Sequence, residues 1–187
     1  LSVASFVASS IDTLHTGRYD VALSLACSAV DATSAKSASR YQATNSKRFK
    51  RFLEENMRVI TMFGFPGIIA GGIQIKCRNF PNLKTDSDGY VSIADIIYHV
   101  VRCGLVHECL IDEHIEFTDQ TYLGDFDCKF RIPRYLIFGL LMAVILSPSN
   151  AGEAFDRRYL EVIGGKSVNL QGLWAKGCDA FLRKHSK

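Results

Sequence analysis

An unbroken apolar run, residues 136–146, constrains this chain more than any other feature. It reads Leu-Ile-Phe-Gly-Leu-Leu-Met-Ala-Val-Ile-Leu. A membrane-crossing helix needs about twenty such residues, so this run is too short to span a bilayer. A helix that is apolar on every side belongs in the middle of a core, with other elements wrapped round it. Pro133 is placed to open it and Ser147-Pro148 to end it, which predicts a helix over 134–146.

The surrounding chain can supply that wrapping. It has 187 residues, 48% hydrophobic and 22% charged, a balance that excludes disordered and fibrous classes. The length fits one domain over 1–187. The formal charge of +3 permits a polyanion partner without demanding one.

Residues 1–15 place Val3, Phe6, Val7, Ile11 and Leu14 at three- and four-residue steps, which is helical, and Gly17 closes the helix. An Ala-rich helix over 19–38 follows, its small residues suited to close helix contact. Asn45 can cap a third helix through Phe49, Phe52, Leu53, Met57 and Ile60 to about residue 63. Glycines and Pro66 break the pattern over 64–80, where 74–77 could form a short strand. Ser92 and Asp95 form a capping signal for a helix that Gly104 ends. Residues 108–118 and 126–132 have strand composition, and the link between them predicts a two-stranded hairpin. Residues 151–162 read as a short helix and 170–184 as the last one. The fold class is therefore mainly α, a helical bundle with a small β-hairpin insert near 108–132.

Six cysteines, Cys27, Cys77, Cys103, Cys109, Cys128 and Cys178, are too dispersed for a disulfide scaffold. None has the Cys-x-x-Cys spacing of structural zinc, so no metal or other cofactor is expected. Free thiols point to a reducing, cytoplasmic setting. The opening at Leu1, without Met and without a basic stretch ahead of an apolar one, reads as no signal peptide and as an N-terminally trimmed chain.

The stretch 98–108, Tyr-His-Val-Val-Arg-Cys-Gly-Leu-Val-His-Glu, holds Arg102 and His107 in an Arg-x4-His arrangement at a helix end. It resembles the HEPN superfamily, helical bundles that carry Arg-x4–6-His. The early helix with Leu23, Leu25, Val30 and Asp31 resembles that family's first long helix. The resemblance implies a metal-independent endoribonuclease of a defence or toxin–antitoxin system. It further implies a homodimer with RNA as substrate and an antitoxin partner protein; no membrane is expected, because the apolar run is too short to span one. Arg102 and His107 would be the catalytic pair. The family usually has a polar residue after the Arg; Cys103 here favours a version that binds a partner protein, nucleotide or RNA without cutting.

The chemistry is coherent in itself. Metal-free RNA cleavage needs an acid and a base, which His supplies near neutral pH, and a cation for the phosphate, which Arg supplies as a fork. On a straight helix five residues turn side chains to about 140° apart, so Arg102 and His107 share a face only if Gly104 breaks the helix or a partner brings them together. The competing reading pairs Arg102 with Glu108 or Asp112 and uses His107 as a helix cap.

Other candidates weigh less. Lys47, Arg48, Lys50 and Arg51, interleaved with Phe49 and Phe52, have the form of a phosphate-backbone patch. They equally have the form of an amphipathic helix's wet side, which Glu54 and Glu55 favour. Lys47, Arg48 and Arg51, with Cys103, are the candidate substrate-binding residues. Residues 84–95 resemble a calcium loop in Asp86, Asp88 and Gly89, but Lys84 stands where a carboxylate is needed and Asp95 is short for a bidentate ligand. Asp95, His99 and Cys103 share a helical face without a second ligand cluster. His114, among Asp112, Glu113 and Glu116, reads as a solvated face.

Overall fold

Small side chains let the first two helices meet closely. The computed structural model describes residues 2–37, 44–65, 67–77, 84–103, 115–126, 129–156, 159–163 and 166–185. Helix α1 (Val3–His15) is capped by Ser2, whose hydroxyl accepts from the Ser5 amide at 3.0 Å. Gly17, at φ +75°, turns the chain into α2 (Tyr19–Ser37). Ala22, Ala26 and Ala29 of α2 are fully buried. The buried Ser10 hydroxyl donates to the Ala22 carbonyl at 2.7 Å, so the close interface leaves it satisfied.

The expected third helix is two. Thr44, rather than Asn45, caps α3 (Asn45–Glu55), and α4 (Met57–Gly64) starts after Asn56. Asn56 has φ −109°, and its side-chain amide donates to the Phe52 carbonyl at 2.8 Å. A short polar side chain bonding the backbone competes with the helical ladder at that point.

Strands β1 (Gln74–Lys76) and β2 (Tyr90–Ser92) pair antiparallel, with Ile75 opposite Val91. The predicted Ser92 cap is in place: its hydroxyl accepts from the Asp95 amide at 3.0 Å and opens α5 (Ile93–Ile96). The helix then widens into a π-helix, Ile97–Cys103. Gly104, its expected end, lies outside the described residues.

The predicted hairpin is a three-stranded sheet instead. Strand β3 (Ile115–Thr118) pairs parallel with β5 (Lys129–Pro133), and β4 (Gly124–Phe126) pairs antiparallel with β5. The link over 119–125 runs into β4, which occupies one edge of β5, and β3 adds to the other. Phe130 and Ile132 are buried on the inner face, while Glu116, Phe126, Lys129 and Arg131 fall on the outer one.

The apolar run forms α6 (Tyr135–Leu146), packed against α1, α2 and α4. Pro133 closes β5, and the helix begins after Arg134. Residues 139–146 are all buried. Helix α6 meets α4 through two glycines. A β-carbon at Gly139 would overlap the Ile60 carbonyl oxygen and sit 3.1 Å from the Gly64 amide nitrogen. One at Gly64 would stand 3.0 Å from the Leu136 Cα.

The C-terminal expectations need correction. Part of 151–162, read as a helix, is strand: β6 (Leu160–Ile163) pairs antiparallel with β7 (Lys166–Asn169). The last helix is a 3-10 turn (Leu170–Leu173) followed by α7 (Cys178–His185). Between them Ala175 has φ +60° and Gly177 φ +89°. The break has a cause: the Ala175 and Gly177 amides donate to the Ile145 and Leu146 carbonyls at 2.7 and 2.8 Å. They satisfy acceptors that the end of α6 would otherwise leave buried without partners.

Nearby, the fully buried Asn150 donates to the Thr33 hydroxyl and the Val144 carbonyl, and its backbone carbonyl accepts from the Trp174 indole. The molecule is thus mainly helical with small sheets. Among the described residues no helix is long and apolar enough to cross a membrane.

Candidate functional site

Three elements converge on the Tyr98 ring. Helix α2 brings Asp31, α3 brings Phe49 and Lys50, and α5 with its π-helical extension brings Asp95, His99 and Arg102. Phe49 lies edge-on to Tyr98 with ring centroids 5.5 Å apart, and His99 at 5.0 Å. Two cations approach the same ring, Lys50 Nζ at 5.8 Å and Arg102 Cζ at 5.4 Å. Both distances suit attraction to the ring's negative face.

Each cation also has its own carboxylate. Lys50 donates to Asp95 Oδ1 at 2.8 Å, and the Ser92 hydroxyl donates to Asp95 Oδ2 at 2.7 Å. Arg102 donates to Asp31 Oδ2 from Nη2 at 2.8 Å and from Nε at 3.2 Å. The Arg102 side chain is only 11% exposed. Burial works to raise the Asp95 pKa, but the bonds from Lys50 and Ser92 and the charges of Lys50 and His99 outweigh it, so the carboxyl ionises below its usual range. Burial, with the Lys50 and Lys84 charges, lowers the His99 pKa against the pull of Asp95. Its surroundings therefore favour the neutral imidazole over the charged one.

The predicted site residues are only partly brought together. Arg102 sits in this cluster. His107 lies outside the described residues, as do Glu108, Asp112 and His114. Cys103 is the last residue of the π-helix. The basic run divides: Lys50 turns inward to Asp95, whereas Lys47 and Arg51 are exposed. Arg51 pairs with Glu55 at 2.7 Å one helical turn on, and Arg48 donates to the Asn45 side chain. Lys50 thus leaves the run, while Lys47 and Arg48 stand four and three residues from Arg51 on one face of α3. In the calcium-like loop, Asp86 accepts from the Asp88 and Tyr90 amides at 3.0 and 2.8 Å, bracing its own turn, while Asp95 faces Lys50. Among the described residues no group of three or more His, Cys, Asp or Glu side chains gathers to hold a metal.

Sequence reasoning missed Tyr98 as the centre and Asp31 as the partner of Arg102. An acid midway along a helix whose other charges, Asp20 and Lys36, sit at its ends was the available signal for Asp31. Its mate stands 71 residues away, and no local spacing reveals that.

The fold and this cluster define a mainly helical protein with a half-buried Arg–Asp pair in and beside a π-helix. The chain belongs to the Rv1289 family, whose model matches residues 2–178. It is similar to the uncharacterized proteins Rv1289 and MT1327 of Mycobacterium tuberculosis and Mb1320 of Mycobacterium bovis. Each is 28% identical over 170 residues, covering 85% of this chain and 76% of the relative. No solved structure matches.

Proposed function

We propose that this protein is an HEPN-like helical module that binds RNA without cutting it. One observation carries the choice of a non-cutting role: the Arg102 side chain is only 11% exposed and spends two of its donors on Asp31. An arginine that holds a scissile phosphate must offer its fork to the substrate. Here Asp31 takes the place of that anion, and the arginine ties the π-helix to α2. Lys50 is matched in the same way by Asp95. Cys103, in place of the family's usual polar residue, agrees with this role.

A second reading rests on the π-helix. Such segments recur at functional sites, and Arg102 lies in this one. In that reading the chain is a metal-independent endoribonuclease of a defence or toxin–antitoxin system. Arg102 and His107 of two protomers form its catalytic groups, and an antitoxin protein holds it in check.

Incubating single-stranded RNA with the purified chain in a chelator decides between them. RNA retained on the protein and recovered intact is the expected result. Cleavage by the wild type that His107→Ala abolishes would establish the second reading in its place.

A further inference from the structure

The outer face of the three-stranded sheet carries an arrangement that the core does not require. Phe126 of β4 is 47% exposed and Tyr122, just before the strand, 39%. Their rings lie 6.1 Å apart, edge to face. Arg131 of β5 holds its guanidinium 4.2 Å over the Phe126 ring. The register puts exposed Lys129 directly opposite Phe126, on the same face. Glu116 of β3 pairs with Arg131 at 2.9 Å, and Lys129 adds a further positive charge to the face.

Gly124 makes the pairing of the rings feasible. Its φ of +143° is one that other residues rarely adopt, and it lets the chain swing from Tyr122 into β4. A β-carbon there would make ordinary contact with the Tyr122 hydroxyl and Ile75 Cγ2, both at 3.5 Å, so the backbone angle rather than space calls for glycine.

We propose that this face, built on Phe126, Tyr122, Arg131 and Lys129, is a stacking platform for the bases of single-stranded RNA. The proposal rests on the RNA-binding reading above and adds where, and in which form, RNA is held. Exposed rings on a small sheet with cations beside them are the means by which unpaired bases are bound: the π-faces stack and the cations meet the phosphates. The inner face of the same sheet delivers Phe130 and Ile132 to the core, so burial fixes the platform from behind. Glu116 offsets Arg131, so Lys129 supplies the attraction to phosphate and the Phe126–Arg131 stack the planar surface, which together favour a polyanion with planar faces over an apolar partner.

The test is fluorescence anisotropy of the full chain with labelled oligouridine of about 12 nucleotides, a length within the usual site size of such surfaces. The wild type binds, and Phe126→Ala weakens binding about tenfold, in the range of a lost base stack. Phe126→Leu keeps the apolar bulk and loses the π-face, so it weakens binding similarly and separates stacking from folding. Duplex RNA, whose bases are covered, binds more weakly. Unchanged affinity in both Phe126 variants, or equal affinity for the duplex, overturns the platform while leaving RNA binding elsewhere on the protein intact. No binding by the wild type overturns both the platform and the reading beneath it. Cleavage of RNA by a chain whose binding depends on Phe126 overturns the non-cutting role and keeps the platform.

Discussion

Two nitrogens of Arg102 meet a single oxygen of Asp31, Nη2 at 2.8 Å and Nε at 3.2 Å, and so join the π-helix to α2. The second Asp31 oxygen takes no part in these bonds, and the carboxylate is 31% exposed. Removing Asp31 takes the carboxylate from an arginine whose side chain is only 11% exposed. Asp31→Asn should cost about 1–3 kcal/mol, less than for a fully buried pair because Asp31 is partly wet. In urea denaturation the double variant Asp31→Asn/Arg102→Met should lose less than the two single variants added. Strict additivity would show that the pair contributes no coupling.

At the α4–α6 crossing, Gly139 has no room for a methyl group against the Ile60 carbonyl. Backbone cannot yield as a flexible side chain does, so Gly139→Ala should destabilise by about 1–3 kcal/mol or more. Gly152→Ala meets nothing within 4 Å and serves as the control. It should stay within about 0.5 kcal/mol of the wild type in the same denaturation experiment. Equal stability of the two variants would mean that α4 and α6 are not in contact as described.

Acidification should weaken the fold in two stages. The fold lowers the His99 pKa, so it resists a proton that the unfolded chain accepts below about pH 6.5. Stability then begins to fall as pH drops through that value. Burial works to raise the Glu153 pKa, but the hydrogen bonds from Lys36 and from the Ala4 amide lower it further. With Asp95, also lowered, it adds stability that is present above about pH 4.3 and lost as pH falls through the folded-state values. His99→Gln should flatten the first stage of a pH–stability curve and Glu153→Gln the second.

Burial, helped by the Asp179 charge, pushes the Cys178 thiol up to about 12. Alkylation proceeds through the thiolate, which is nearly absent at neutral pH in such a site. Peptide mapping after brief iodoacetamide treatment of the native chain should find Cys178 unmodified, and modified once urea is added. Rapid native labelling would show that α7 separates readily from the body.

Local signals carried the helices whose reasons are local. The spacing of Val3, Val7 and Ile11, the Ser92 cap and the apolar run all produce the elements they predict. What the sequence left hidden depends on distant partners. Residues 170–184 have helical composition, yet Ala175 and Gly177 leave helical geometry to meet the last carbonyls of α6. Strand β3 takes one edge of β5 in parallel while β4 holds the other, an arrangement that alternation of side chains does not encode. In the candidate site Arg102 was legible as a chemical group. Its partner was not, because the ion pair joins helices 71 residues apart. Asn56 gave a local sign of its helix break, but one that apolar spacing on either side concealed.

The π-helix gives residues 97–103 some freedom of length. Its hydrogen bonds close over five residues instead of four, so the segment holds more chain per turn than an α-helix would. A helix whose bonds span five residues turns less per residue than one whose bonds span four, so losing one residue and tightening to ordinary α-helix largely cancel. The chain on either side would keep nearly the same bearing. The wider turn therefore absorbs one residue, and a one-residue change in length here need not break the Arg102–Asp31 pair.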